Sequence, residues 1–254
     1  MFQYILYFLI AIGATTVGSL TGMGGGVIIK PLMDVLQGFD VQTIGVLSSI
    51  TVFSMSVVSI GKQMLSKTKI PFDTAIPLAL GSVVGGLAGE KLLQLIVDAL
   101  QANAAVTVVQ NVALSLLILA VFLYMKNKSR IPSKQLRGLV VSLLVGAFLG
   151  ICSSFLGIGG GPINVALIIY LFSFDTKTAT VCSLVTILFA QISKLTTVAL
   201  TTGFGGFDLS MAPVMVVGAI AGGFIGASLN KKCKEETVEK AFNAVQLVVL
   251  AIAV

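Results

Sequence analysis

Residues 22–26 read Gly-Met-Gly-Gly-Gly, and residues 157–161 repeat this pattern as Gly-Ile-Gly-Gly-Gly, 135 positions further along the chain. Each copy follows about twenty apolar residues and precedes a short apolar run. Because glycine weakens a helix by about 1 kcal/mol relative to alanine, the successive glycines predict that a helix ends there. Interrupted backbone is tolerated in hydrocarbon only where it is buried in protein or lines a cavity. Two interruptions at corresponding positions of two halves therefore indicate a transporter's binding site.

The composition is that of an integral membrane protein. The chain has 254 residues, of which 56% are hydrophobic and 10% are charged. Soluble domains lack this composition, and the apolar runs are long enough to span a bilayer, so we predict a polytopic protein whose surroundings are lipid. The residues before the first apolar run carry no positive charge. We therefore expect that run to be retained as a helix and not cleaved as a signal peptide.

Neither the cysteines nor the positive charge indicates a cofactor or a nucleic acid partner. Three scattered cysteines and the absence of histidine exclude a Cys/His zinc site, so no metal and no other cofactor is expected. The formal net charge is +6, but twelve of the sixteen Lys and Arg residues fall within residues 62–69, 126–137 and 231–240. Such clustering in short loops is typical of the positive-inside bias of membrane proteins.

The chain is an internal duplication of four long apolar segments and one short glycine-interrupted element. The first membrane repeat covers residues 1–125, a basic cytoplasmic linker covers residues 126–137, and the second membrane repeat covers residues 138–254. The short elements, residues 27–36 and 162–174, directly follow the glycines. Other residues recur at the same displacement: Asp40 and Asp175, Thr43 and Thr178, Ser48 and Ser183, and Thr51 and Thr186.

A glycine stripe on the fourth long element of each repeat predicts close helix packing. In the first repeat we expect this element to run from Thr74 to Leu95. We expect the connection after it to be a loop over residues 90–103, which overlaps the end of the element. Small residues four positions apart lie on one helix face and let two helices approach closely. The stripes consist of Gly81, Gly85, Gly86 and Gly89, matched by Gly218, Gly222, Gly223 and Gly226.

The loop charges predict that the two repeats have inverted topology. The loop after the third element is basic in the first repeat, whereas its counterpart, residues 195–209, contains no Lys or Arg. The loop after the fourth element shows the reverse, with only Lys91 in residues 90–103 and four lysines in residues 231–240. Inversion requires an odd number of crossings, so each short element must cross, giving ten membrane elements with both termini outside. The alternative has four crossings per repeat and re-entrant short elements.

The whole chain resembles the TauE/SafE family of sulfite exporter-like membrane permeases. The resemblance is carried by the paired glycine motifs, a proline in each short element and a Ser/Thr-bearing helix after each. It implies transport of small anions, often sulfur-containing ones such as sulfite or organosulfonates, across a bacterial plasma membrane. The first repeat departs from the pattern, because Pro31 comes five residues after Gly26 whereas Pro162 directly follows Gly161.

Both glycine clusters are candidate substrate-binding elements. Backbone N–H groups at the start of a helix attract anions, because these donors are free and the helix dipole is positive there. The residues assigned this role are Gly24, Gly25, Gly26, Gly159, Gly160 and Gly161. The alternative is that the glycines only let helices pack closely. A nucleotide-binding turn is not indicated, because no G-K-[ST] ending follows.

Hydroxyl side chains in the third element of each repeat are further candidates. Ser48 and Thr51, with Ser183 and Thr186, lie at near-helical spacing early in matching segments. In inverted repeats these positions converge near the bilayer midplane, where they would donate hydrogen bonds to an anion. The alternative is that each hydroxyl bonds its own helix backbone, as is common in membranes.

Polar side chains within residues 178–200 complete the candidate site. Gln191 and Lys194 lie there, and an ionisable residue in a spanning segment is costly and by default functional. The alternative for Lys194 is snorkelling to the outer interface. Lys30, in the first short element, is a weaker candidate of the same kind. Asp40, Asp73, Asp175 and Asp208 are predicted to cap helices, with proton coupling as an alternative role for Asp40 or Asp175.

The function predicted from these features is that of a secondary transporter for a small anion, with a passive anion channel as the alternative. An enzyme is not indicated, since the segments lack histidine, paired acids and a Cys/His set. A scaffold would not need duplicated broken helices. The substrate, the coupling ion and the oligomeric state stay open, with a homodimer among the alternatives.

Overall fold

The fold is entirely helical in the part of the chain that the computed structural model describes, residues 2–36, 38–66, 70–100, 103–128, 130–156 and 161–253. These ranges contain ten α-helices and one short 3-10 turn, Phe204–Gly206, and no strand. The helices are α1 (Phe2–Thr21), α2 (Gly26–Leu36), α3 (Val41–Leu65), α4 (Phe72–Leu100), α5 (Asn103–Asn127), α6 (Leu139–Leu156), α7 (Pro162–Phe172), α8 (Thr176–Leu200), α9 (Ala212–Lys232) and α10 (Glu235–Ala253).

Seven of the described helices are long and apolar enough to cross a bilayer: α1, α3, α4, α5, α6, α8 and α9. The helices α2 and α7, with 11 residues each, are the two short elements and begin at or directly after the glycines. The helix α10 has 19 residues and opens with Glu235 and Glu236. The predicted all-α, multi-pass membrane protein is confirmed.

The third helix of each half begins at an aspartate cap. The Asp40 carboxylate accepts hydrogen bonds from the Thr43 amide at 2.8 Å and from the Thr43 hydroxyl at 2.7 Å. Asp175 accepts the same pair from Thr178, at 3.0 and 2.5 Å. Burial raises the pKa of Asp40, but the bonds from Thr43 outweigh it, so the pKa is lowered and the carboxylate stays charged. The caps predicted at Asp40 and Asp175 are confirmed. The caps predicted at Asp73 and Asp208 are wrong, because Asp73 lies inside the first turn of α4 and Asp208 accepts from the Ser210 amide, ahead of α9.

The glycine stripes are helix contacts between the two halves, as predicted. A Cβ atom on Gly85 of α4 would overlap the carbonyl oxygen of Ala147 in α6. Likewise, a Cβ on Gly222 of α9 would overlap the Thr15 hydroxyl of α1. Backbones this close are possible only with glycine, and the contact gains dispersion energy along both helices.

The two helices of each glycine-packed pair run parallel to each other. Along α4 and α6, Gly81 faces Leu143 and Gly89 faces Ile151, so the residue numbers rise together. The same holds for α1 and α9, where Gly218 lies beside Phe8, Gly222 beside Ile12 and Gly226 beside Thr16. The two pairs are equivalent, because each packs the glycine-striped helix of one half, α4 or α9, against the first helix of the other half, α6 or α1.

The helix α4 is longer than the sequence predicted. It continues to Leu100 instead of ending at Leu95, so residues 90–100 are helical and not part of a loop. This run contains Glu90 and Lys91 but neither glycine nor proline, and so nothing in it stops a helix. The extension places Glu90 inside the helix bundle.

The short helices form the centre of the molecule. Ile29 and Met33 of α2, and Val165 and Ile168 of α7, are fully buried in the two apolar clusters of the core. Any polar side chain on the buried face of α2 is therefore enclosed by protein. Lys30 is such a side chain.

Candidate functional site

The first glycine cluster is a tight turn packed against α1. Gly22 and Gly24 have φ angles of +77° and +72°, a conformation that favours glycine. A Cβ on Gly18 would lie only 2.5 Å from the Gly25 nitrogen, so the turn touches the α1 backbone. Gly24, Gly25 and Gly26 are all buried. The packing role of these glycines is therefore established, and their role in anion binding stays a prediction.

The second glycine cluster is described only at its last residue. Gly159 and Gly160 lie outside the described residues. Gly161 is buried and precedes Pro162, the first residue of α7. Proline suits the first helical position because it lacks the N–H that would have no partner there. The Gly161 carbonyl accepts a hydrogen bond from the Asn164 amide at 3.1 Å.

The four predicted hydroxyl residues are buried, and three of them donate to backbone carbonyls. Thr51 donates to Leu47 at 2.7 Å and Thr186 donates to Cys182 at 2.9 Å, each within its own helix. Ser183 donates across the halves to Gly22 at 2.6 Å and so ties α8 to the first glycine turn. Ser48 is 1% exposed.

A cavity of about 180 Å³ lies between α2, α3, α4, α5 and α8. Its wall is mostly apolar, with a few polar and charged side chains. Its described lining carries three charged side chains, Lys30, Glu90 and Lys194. The uncharged polar residues of the lining are Gln42, Gln94, Gln110, Thr197, Thr201 and Thr202. Apolar walls with a few convergent polar groups are typical of a small-molecule site, and this volume suits a small ion.

Lys194 extends from α8 towards α3. Its Nζ atom lies 3.3 Å from the position that a Cβ of Gly45 would occupy, so the absent side chain at Gly45 leaves room for the ammonium group. Among the described residues no carboxylate oxygen lies within 4.0 Å of this ammonium. Lys194 therefore presents its charge to the cavity. The neighbouring Gln191 is 1% exposed, and its Oε1 atom has no hydrogen-bond partner in the described part of the chain.

Lys30 is buried and held in an ion pair. It is 2% exposed, and its Nζ atom lies 3.0 Å from the Asp34 carboxylate one turn later in α2. The pair is local to one short helix and largely neutralises the charge of Lys30. Its position beside the cavity gives this residue a more central place than the sequence indicated.

Breaking this ion pair should destabilise the protein strongly. We expect Lys30→Gln to lower the free energy of unfolding by about 3 kcal/mol, the lower end for a buried pair, because it leaves the Asp34 carboxylate, which is only 13% exposed, without its partner. The double variant Lys30→Gln/Asp34→Asn, which removes both charges, should recover most of the loss. Thermal unfolding in detergent measures both, and equal stability of the single and double variants would contradict a coupled pair.

Glu90 and Gln110 were missed by the sequence reasoning. In the described structure, the Glu90 Oε2 atom and the Gln110 Oε1 atom are buried without a hydrogen-bond partner. Gln110 donates through Nε2 to the Phe155 carbonyl at 2.7 Å, which fixes the side chain at the cavity wall. The available signal was that Glu90 directly follows Gly89, and Gly89 lies on the face of α4 that packs against α6.

Of the predicted site residues, the described structure places Lys194 at the cavity and Gln191 one turn from it. The predicted glycines and hydroxyls are not part of the described lining. They lie at the first glycine turn, within α3 and α8, and at the start of α7. The cavity instead unites Lys194 with Lys30 and with Glu90. These three charges come from three different helices.

Comparison with known proteins identifies related sequences. The family described as Sulfite exporter TauE/SafE matches residues 7–253. The chain is 23% identical over 260 residues to the probable membrane transporter protein YunE of Bacillus subtilis (strain 168), covering 93% of this chain and 92% of that protein. It is 28% identical over 256 residues to the probable membrane transporter protein MamO of Magnetospirillum gryphiswaldense, covering 87% of this chain and 40% of that protein. The search of solved structures found no match.

Proposed function

The chain belongs to the TauE/SafE sulfite exporter family, and on this basis we propose that it is a secondary transporter that moves a small anion across the bacterial plasma membrane. The observation that carries the proposal is the cavity that unites Lys30 and Lys194. A charged residue inside a membrane protein is costly and by default belongs to a substrate or ion pathway. The names of the relatives, both probable membrane transporters, support transport rather than catalysis.

The chemistry of the cavity favours an oxyanion. Lys194 offers an ammonium group, and the amides and hydroxyls of the wall offer hydrogen-bond donors to several oxygens at once. Hydrogen bonds between charged partners are the strongest of these contacts. Together with the family's printed description, this supports sulfite or an organosulfonate as the substrate. A passive anion channel is the alternative.

A ligand screen tests this proposal directly. The purified protein is heated with sulfite, sulfate, methanesulfonate or acetate. An anion present at about 100 times its dissociation constant stabilises the folded state by about 2.7 kcal/mol, which a thermal shift detects. Flux of that anion into proteoliposomes should saturate and show counterflow. A channel would show neither, and the absence of any stabilising anion would contradict anion transport.

We further propose that the two halves are inverted repeats. The contact registers support this arrangement. The helix α3 also runs parallel to α9, because Gly223 lies beside Met55 and Asn230 lies beside Gln63. Since α1 and α3 therefore run in the same direction, the chain must turn back between them, and α2 lies in that connection. In α3 and α8, the equivalent third helices, Gly45 near the start of one lies beside Lys194 towards the end of the other. This contact is the one expected if the two helices point in opposite directions.

Cysteine labelling tests the inversion. In a variant without the native cysteines, we expect Thr202→Cys to react with an impermeant maleimide from outside the cell. By contrast, Ser66→Cys should react only after permeabilisation. The two positions follow equivalent helices, α3 and α8, and inverted repeats place them on opposite faces. Labelling of both from the same side would show that the repeats are parallel.

The glycine clusters stay part of the proposal as a second set of anion contacts. A buried helix start that follows glycines, as in α2, is suited to receive negative charge. Two such starts facing each other would hold an anion between the halves, with Ser48, Thr51, Ser183 and Thr186 nearby. Substitution of Lys194 distinguishes the two sites. Anion binding should weaken if the anion lies in the cavity and should stay unchanged if it lies at the glycine clusters.

A further inference from the structure

Glu90 is the one carboxylate in the described lining of the cavity. It belongs to α4, whose packing against α6 at Gly89 fixes the backbone beside it. Its side chain lines the same cavity as Lys30 and Lys194, and its Oε2 atom is buried without a hydrogen-bond partner among the described residues. No described protein group donates to this oxygen, so in the cavity it can meet only water or a proton.

The helices around Glu90 contribute few other titratable groups. The helix α8 contributes Lys194 and α2 contributes Lys30, whose charge is balanced by Asp34 at 3.0 Å. The helix α6 has no acidic or basic residue, and its one titratable side chain is Cys152. The spanning part of α5 brings only the uncharged Gln110 to the cavity. The charge of the cavity therefore depends on Glu90 and Lys194.

The net charge of the cavity determines the charge of the ligand that it can bind. With Glu90 ionised, its charge and that of Lys194 cancel, and an entering anion leaves a net negative charge in a poorly hydrated space. With Glu90 protonated, the cavity carries one positive charge, which matches a monovalent anion. Uncompensated charge in the interior is strongly unfavourable, so the two occupancies are linked.

We propose that Glu90 takes up one proton from water at the cavity mouth each time an anion binds to Lys194, so that the protein transports the anion together with a proton. This inference rests on the proposed function and specifies its coupling ion. The carboxylate becomes a carboxylic acid, and no other bond changes. Release of the anion restores the ionised carboxylate and returns the proton to water on the other side.

Binding measured against pH tests the coupling. The probe is methanesulfonate, whose own charge does not change across the neutral and mildly acidic range. In the parent protein the dissociation constant should rise with pH, approaching about tenfold per pH unit, the limit for one linked proton. Glu90→Gln, which mimics the neutral acid, should bind with an affinity that is independent of pH. Glu90→Asp should restore the pH dependence, whereas a purely structural role would not distinguish these two variants in this way.

Matched controls separate the possible failures. Glu236→Gln, the same substitution at an exposed position, should keep the parent's pH dependence. If the parent binds the probe independently of pH, or if Glu90→Gln keeps the dependence, the coupling role of Glu90 is wrong while anion transport stands. If neither methanesulfonate nor any other anion of the screen binds, the proposed function itself fails. In proteoliposomes, uptake driven by a sodium gradient and not by a pH gradient would overturn the assignment of a proton.

Discussion

Substitution of Lys194 by glutamine will weaken binding of the transported anion by about ten- to a hundredfold while the protein still inserts and purifies. Hydrogen bonds to charged groups contribute about 1.5–3 kcal/mol, and each 1.4 kcal/mol changes a dissociation constant about tenfold. Lys194 forms no ion pair within 4.0 Å in the described structure, and Glu90, which shares its cavity, can bind a proton when the lysine charge is lost, so the substitution should spare the fold. Titration with the anion that stabilises the parent in the thermal-shift screen measures the loss.

Two further variants show whether the charge of Lys194 is responsible. Lys91→Gln makes the same substitution at an exposed residue beside Glu90 that does not line the cavity, and it should bind like the parent. Lys194→Arg keeps the charge and should be partly tolerated. Unchanged affinity in Lys194→Gln would remove the cavity from the binding site. The helix starts at the two glycine clusters would then be the favoured location, and Lys194 would be a snorkelling residue.

Adding a single methyl group at Gly85 should destabilise the fold more than any surface substitution. In Gly85→Ala the new Cβ would overlap the Ala147 carbonyl oxygen, so α4 and α6 must separate along their whole contact. Overpacking of this kind costs about 1–3 kcal/mol, although alanine on its own favours a helix by about 1 kcal/mol over glycine. The melting temperature in detergent should therefore fall, and the yield of monodisperse protein with it.

The control for Gly85→Ala adds the same methyl group where there is space. Gly13 lies in α1 with no atom within 4 Å of its would-be Cβ. Gly13→Ala should therefore leave the melting temperature unchanged or raise it. Gly222→Ala, at the corresponding contact of α9 with α1, should behave like Gly85→Ala. If all three variants have the same melting temperature, the glycine stripes do not determine the stability of the bundle.

The sequence was informative wherever a local rule decides the structure. The glycines marked the starts of α2 and α7, because few other residues end one hydrophobic helix and begin another so abruptly. Asp40 and Asp175 were identified as caps, since the side chain of such a residue reaches only the next turn. The glycine stripes of α4 and α9 were identified as contacts, because spacing by four residues places them on one face.

The cavity was predicted only in part, because its residues meet through tertiary structure. Lys194 was found from its cost inside a spanning segment, and Lys30 for the same reason with less weight. Glu90 was missed because the pair Glu90-Lys91 suggested a loop, although nothing in the following residues stops a helix. Residues 60 and 104 positions apart have no local signal that brings them together. Only the packing of α2 on α3, of α3 on α8 and of α8 on α4 does so.

The contacts across the halves have an evolutionary consequence. The glycine face of α4 is covered by α6, and that of α9 by α1, so each half completes the other and neither is closed by itself. A single half made as a separate protein would expose its glycine stripe to lipid until a second copy packed against it. The simplest ancestor of the duplicated gene is therefore an obligate homodimer with exchanged helices. Fusion of two such copies would make that partnership permanent and would let each copy diverge. The halves do differ at the cavity, where Lys30 corresponds to Val165 and Lys194 to Ser59.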